Sequence, residues 1–400
     1  MFDMGNQLEQ MTCPVARECG GCSRVEVPYA KQLAMKDARV AEIFAEFADA
    51  GMELRPILGM DEPWHYRDKV ASPFAPGRRG PGGRCEILTG MYAAGTHRLV
   101  PTDACLIENE RAQEVIRAVR LIMKRHKIEP YDEDRGRGFL RHAVVRVGHE
   151  SGEMLVTLVT NSDEFPNSKS FCRELVQKCP HVTSVVQNVN LRRTNAILGD
   201  RERRVYGPGF ILDTLCGLSF RISSRSFYQI NATQTEVLYE QAIAAAALTG
   251  EETVVDAYCG TGTIGLVAAR RGAAQVTGVD SVEAAIWDAR ENARHNGVDN
   301  ARFVVADATA FMRDMAAAGE CVDVAFLDPP RAGSTPEFLG ALAQMAPERV
   351  VYISCKPETQ VRDMRGLREH GYAPVFVQPV DMFPHTDHIE TVVRLDKVAR

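Results

Sequence analysis

The sequence predicts an α/β protein whose C-terminal part is a doubly wound parallel sheet. Two observations carry that expectation. The first is the stretch Thr253–Leu266, where the β-branched run Thr253-Val254-Val255-Asp256-Ala257 leads through Gly260 and Gly262 into a helix-forming run. Strand, glycine turn and helix N-terminus in that order make a cradle for a nucleotide-type cofactor, because glycine lets backbone N–H groups approach a ligand closely. The second is the alternation of strand-like and helix-like segments from residue 253 onward. Strands are expected near 253–257, 275–279, 302–305, 322–327 and 349–354, with late strands near 374–378 and 389–395.

The glycines at 260, 262 and 265 also fit the dinucleotide pattern G-x-G-x-x-G. The next strand ends in Asp280, and a carboxylate there suits the ribose diol of either NAD or S-adenosylmethionine. Three later features separate the two. Asp307 is a third acid after a strand. Asp328-Pro329-Pro330-Arg331 stiffens a loop where a strand runs out, since the prolines carry no N–H to continue it. Cys355 ends the strand Val350–Ser354 with Lys356 beside it, a setting that favours thiolate and hence a nucleophile. Near the end, Phe383-Pro384-His385-Thr386-Asp387-His388-Ile389-Glu390 offers Glu390 as a general base. His385 and His388 lack a convincing third metal ligand and read as structural or substrate-positioning residues.

Earlier in the chain, Cys13, Cys19 and Cys22 crowd into one loop with Gly20-Gly21. All-sulfur ligands select zinc or an iron–sulfur cluster, and both require a fourth ligand. Cys85 and Cys105 are the nearest sources. Residues 29–48 read as an amphipathic helix, and 109–127 as another. Between them, Trp64–Val70 interleaves aromatic rings with cations, which suits either nucleotide stacking or a strand with a solvated face, and Pro73–Gly83 reads as an exposed loop. Strands near 143–148, 153–160 and 182–189, with a helix at 167–178, make a small α/β region. Arg192, Arg193, Arg201, Arg203 and Arg204 bracket a polar hairpin; such groups commonly form a solvated face, and the alternative is a local phosphate-binding surface.

At 400 residues the chain has room for two or three segments, taken as 1–110, 111–220 and 221–400. The 11 cysteines are odd in number and follow no export leader, which argues for reduced thiols in a cytoplasmic protein. No run is long enough to span a bilayer. The net charge of −6 means that a nucleic-acid partner must find a local basic surface. A monomer is expected.

With these motifs in view, nearly the whole chain resembles the RNA 5-methyluridine methyltransferases, which depend on S-adenosylmethionine. The resemblance rests on Ser354-Cys355, the Asp328-Pro329-Pro330 element and the stretch from Phe383 to Glu390. It implies a class I, Rossmann-like methyltransferase domain behind an N-terminal iron–sulfur and α/β RNA-binding region. Cys355 then falls on the nucleophile and Glu390 on the base. Gln229, Tyr258, Asp280, Asp307 and Asp328 fall on cofactor-binding and active-site positions, beside the loop glycines Gly260 and Gly262. Cys13, Cys19, Cys22 and Cys105 fall on the ligands of a [4Fe–4S] cluster in the ribosomal-RNA members. The implied substrate is RNA, 23S rRNA before tRNA. Two departures stand out. Too few residues precede Cys13 for the TRAM domain of many members, and Asp280 replaces the commoner glutamate while keeping its carboxylate. An NAD-dependent oxidoreductase is the rival reading, carried only by the glycines and Asp280.

Overall fold

The computed structural model describes residues 11–80 and 85–398. They form two compact units. One contains the chain up to Pro28 with Pro63–Thr214 and Arg221–Arg225; the other contains Tyr29–Glu62, Leu215–Phe220 and the chain from Ser226 onward. The expected segments 1–110, 111–220 and 221–400 do not coincide with these units. The difference centres on residues 29–62, which join the C-terminal sheet. Phe44 and Phe47 are fully buried in its core, and Glu53–Leu54 adds a short parallel strand beside Tyr372–Val380. A two-residue strand with a distant partner leaves no periodic signal to read.

The first unit is built on a seven-stranded sheet. Its spatial order is Leu99–Pro101, Cys85–Tyr92, Lys69–Arg79, Leu140–Val147, Met154–Thr160, Val182–Val189 and Arg201–Tyr206. Neighbours run antiparallel except Met154–Thr160 and Val182–Val189, which are parallel and joined through the helix Ser168–Lys178. Crossovers of this kind need a helix to return the chain. Glu110–His126 packs with it, burying Val119, Ile122 and Met123. Asn109 caps that helix by accepting from Arg111 N, and Lys124, Arg125 and His126 in its last turn oppose the dipole.

The exposed loop expected at 73–83 is instead largely strand: Lys69–Arg79 pairs on both sides, with Pro73 opposite His142 and Pro76 opposite Ile87. Val70 and Phe74 are buried, but the prolines and Gly77 mask the strand pattern. Residues 81–83 of that expected loop lie outside the described residues.

The second unit carries an eight-stranded sheet in the order Glu53–Leu54, Tyr372–Val380, Glu390–Lys397, Arg349–Ser354, Val324–Leu327, Thr253–Ala257, Gln275–Asp280 and Ala301–Val305. All neighbours are parallel except those of Glu390–Lys397, which runs against both of its partners. Successive side chains alternate between two cores. Val254, Phe326 and Val351 meet the helices Ala232–Ala246, Thr263–Arg270 and Glu283–His295. Val255, Leu327 and Tyr352 meet Tyr29–Ile43, Ala308–Ala317, Pro336–Met345 and Pro357–Glu369. Burial on both faces is why these strands read as continuous apolar runs. The chain winds outward in one direction from Thr253–Ala257 and in the other from Val324–Leu327. The crevice beyond the carboxyl ends of those two strands is where ligands bind in open α/β sheets.

Candidate active site

Sheet register builds the candidate site. Ala257 pairs with Leu327, Leu327 with Tyr352, and Ser354 with Thr391. The residues that continue these strands, Tyr258, Asp328 and Cys355, therefore emerge side by side at the carboxyl edge. The reversed last strand delivers its first residue, Glu390, to the same edge. The turn at Cys355 is pinned. Ser354 Oγ accepts from Lys356 N (3.0 Å), and Thr391 Oγ1 donates to Gln360 Oε1 (2.7 Å), whose Nε2 reaches Tyr352 O (2.8 Å).

The electrostatics couple these groups. Glu390 is 4% exposed, and burial holds its carboxyl well above the usual range, with the charge of Asp328 adding to the shift and Arg331 opposing it. Burial lifts Asp328 to about 7. The Cys355 thiol is raised first by burial and then by the Glu390 charge; a hydrogen bond from Arg331 and its charge pull the other way. The cation acting on the thiol is thus Arg331, whereas Lys356 begins the helix Pro357–Glu369. Sequence reasoning passed over Arg331 although it stands inside the Asp-Pro-Pro-Arg element.

On the cofactor side, Gly260 and Gly262 are left-handed, with φ of 53° and 79°. Gly260 N donates to Asp280 Oδ2 (3.0 Å) and Val282 N to Asp280 Oδ1 (2.8 Å), so the Asp280 carboxylate is fixed between loop and turn. Tyr258 is half-buried with φ +64° and lies tilted on Phe338 at 5.4 Å. Asp307 is exposed at the end of Ala301–Val305 and caps the helix Ala308–Ala317 through Ala310 N (2.9 Å). Gln229 is half-buried in the loop before Ala232–Ala246. Beneath the glycine loop lies Asp256, hidden from sequence reasoning inside an apolar strand. Its Oδ2 accepts from Gly265 N (2.9 Å), while Oδ1 is buried without a partner among the described residues. Burial raises its carboxyl to about 8, against the Gly265 bond and with the charges of Asp328 and Asp280.

In the first unit, Cys13, Cys19, Cys22 and Cys105 line one largely apolar cavity with Met91 and Ile107. Cys22 is pushed up to about 12 by burial and then by Cys105, Cys19 and Cys13; Cys105 reaches about 11 through burial and Glu108. Cys85 stands apart from that cavity and donates its thiol to Gly77 O at 3.2 Å. Among the described residues, no three His, Cys, Asp or Glu side chains converge as the ligands of one metal ion do. No helix of the described residues is long and apolar enough to cross a membrane.

Asp256 gives a pH prediction. Folded Asp256 keeps its proton up to about 8. An unfolded aspartate releases it near about 4, so the folded state binds the extra proton between those values and stability falls as pH rises through them. Asp256→Asn retains an acceptor for Gly265 N–H and removes this loss. Its melting temperature relative to wild type is expected to climb from about pH 4 and level off above about 8. A difference that does not change with pH would refute the buried-proton account.

Known proteins place this geometry in a family. Residues 248–365 match the family model described as a methyltransferase domain. An uncharacterized RNA methyltransferase of Halalkalibacterium halodurans is 44% identical over 397 residues, covering 99% of this chain and 85% of that protein. An uncharacterized RNA methyltransferase of Listeria monocytogenes is 42% identical over 385 residues, with 96% and 83% covered. Among solved structures, the tRNA (uracil-54, C5)-methyltransferase of Pyrococcus abyssi, in complex with S-adenosyl-L-homocysteine, superposes with a TM-score of 0.77 at 28% identity, covering 96% of this chain and 87% of that one. The second unit accordingly has the class I, Rossmann-like methyltransferase fold, and the oxidoreductase reading is set aside. The chain belongs to the RNA methyltransferase family.

Proposed function

We propose that this S-adenosylmethionine-dependent RNA methyltransferase modifies carbon 5 of a uridine, with Cys355 as nucleophile and Glu390 as base. The supporting observation is a thiol and a buried carboxyl on adjacent strand ends, with the Arg331 guanidinium acting on both. Carbon 5 of uracil is a poor nucleophile. Cys355, as thiolate, adds to carbon 6, and the ring becomes an enolate that is nucleophilic at carbon 5. Bound S-adenosylmethionine supplies the methyl group, as an electrophile on a sulfonium, for carbon 5 to take. Glu390 then removes the carbon 5 proton; the ring double bond re-forms and expels the Cys355 thiolate. A raised pKa suits a carboxylate that must accept a proton from carbon. The uridine must leave its base stack to reach a site of this kind.

The chain's residues fit the cofactor. Space is open where a Cβ on Gly260 would sit, and each Asp280 oxygen holds one backbone N–H, leaving lone pairs for a ribose diol. In this reading Gly260 and Gly262 lie under the cofactor, Asp280 holds its ribose, Asp307 stands near the adenine and Tyr258 packs beside it. Gln229 and Asp328 complete the set. Cys355→Ala is expected to bind RNA and cofactor but to form no adduct and transfer no methyl group. Glu390→Gln is expected to accumulate a covalent protein–RNA species on denaturing gels with labelled RNA. Methylation by Cys355→Ala would end the proposal.

The same reading assigns the first unit's four cysteines to a [4Fe–4S] cluster. The thiols of Cys19, Cys22 and Cys105 are raised by burial and by charges around them, neighbouring cysteines included, and a cationic centre that takes them as thiolates would relieve this. Anaerobically purified protein is expected to be brown with about four irons per chain; colourless protein with one zinc would overturn the assignment. The cysteine pattern also favours rRNA over tRNA. Mass spectrometry of both RNAs from cells lacking the gene is expected to show one 5-methyluridine missing from 23S rRNA. A loss confined to tRNA would reverse that preference.

A further inference from the structure

The base-bearing loop between Val380 and Glu390 is gripped along its length by one helix from the other end of the chain. Tyr29, Gln32, Lys36 and Arg39 recur at helical spacing on one face of Tyr29–Ile43. Lys36 Nζ lies 2.5 Å from Asp381 Oδ1 in an ion pair whose side chains are 5% and 0% exposed. The same ammonium donates to Phe383 O (3.2 Å), and Tyr29 OH donates to Asp381 Oδ2 (2.9 Å). Gln32 holds His385 twice, accepting from His385 N (2.9 Å) and donating to His385 Nδ1 (3.1 Å). His385 is left-handed at φ +66°, a conformation that costs energy outside glycine and persists where surroundings enforce it. Arg39 reaches Asp387 O (3.2 Å).

A buried ion pair contributes little net stability, because desolvation of both charges offsets their attraction. What it fixes is geometry: Asp381 and Phe383 stay where Lys36 stands. From Asp381 the chain has one short loop in which to turn back and present Glu390 beside Cys355. Leu58, Gln234 and Asn231 also hold the backbone of Asp381 and Met382; the helix adds the hold on the Asp381 side chain and on Phe383, His385 and Asp387.

We propose that Tyr29–Ile43 is a positioning element for proton removal, with Lys36, Asp381 and Gln32 as positioning residues that hold Glu390 on the reacting carbon. This rests on the assignment of Glu390 as base. The clamp bears on the step after methyl transfer and leaves thiol addition by Cys355 intact.

The test uses full-length enzyme and RNA tritiated at uridine carbon 5. Tritium release reads proton removal, and denaturing gels read adduct. Lys36→Met/Asp381→Asn removes both charges together, so no buried charge is stranded; Gln32→Leu loosens the loop without touching the ion pair. In both, tritium release is expected to fall roughly 10–100-fold, as small misplacements of reacting groups do. The adduct should accumulate, while its rate of formation and cofactor affinity stay within about threefold. Lys36→Arg, which keeps the charge, is expected to recover most of the release rate. Parallel loss of adduct formation and tritium release, or a lowered melting temperature with normal release, would overturn the positioning role. Glu390→Gln separates the two ideas. If it accumulates adduct and the clamp variants do not, only the clamp fails; if it does not accumulate adduct, the base assignment fails and takes the clamp with it.

Discussion

The direction of one strand decides whether Glu390 and Cys355 meet at one edge of this sheet. Glu390–Lys397 runs against both neighbours. Were it parallel, its eight residues at about 3.3 Å each would put Glu390 on the far edge of the sheet, roughly 26 Å from Cys355. Reversal brings the first residue of one strand beside the last residue of another. Everything else at the edge follows from parallel winding, which ends each strand of the sheet's centre on the same side. The loop Asp381–Ile389 is what reversal requires, and it is the segment that the N-terminal helix holds.

The same edge concentrates acids. Asp256, Asp328 and Glu390 all have carboxyls raised by burial, and the charge of Asp328 raises both of the others. Gathering such groups destabilises the folded state at neutral pH and is the opposite of what stability alone would select. Arg331 is the counterweight, opposing the shifts of both Cys355 and Glu390. One cation thus favours the ionised form of both the thiol and the carboxyl, as the proposed roles of the two groups require.

Much of this was legible in residues because the central strands are buried on both faces. Val254, Phe326 and Val351 sit in apolar runs no exposed loop would carry, so the strand ends, and with them Tyr258, Asp328 and Cys355, could be located from spacing. Glu390 was legible as a polar residue opening the final apolar run. What escaped was non-local. Residues 29–62 belong to a sheet formed mostly after residue 250, and nothing near them says so. The strand through Pro73 and Pro76 escaped because proline usually ends strands, and here the paired positions tolerate its missing N–H. The separation of Cys85 from the other cysteines depends on how a sheet folds, which spacing does not report.

Residues 29–62 also set an order of events in synthesis. Lys36 is separated from Asp381 by 345 residues. At 5–20 residues per second, its partner is made roughly 20–70 s later. During that interval the helix has no sheet to join, while the strands of the first unit are completed between its emergence and its docking. The loop Asp381–Ile389 is closed only when Glu390–Lys397 has left the ribosome and pairs with its neighbours. A chain truncated within its final strand would therefore retain its four cysteines, its glycine loop and Cys355, yet have no assembled place for Glu390. Under the proposed assignment, the edge that pairs Cys355 with Glu390 is assembled only once Glu390–Lys397 can join the sheet.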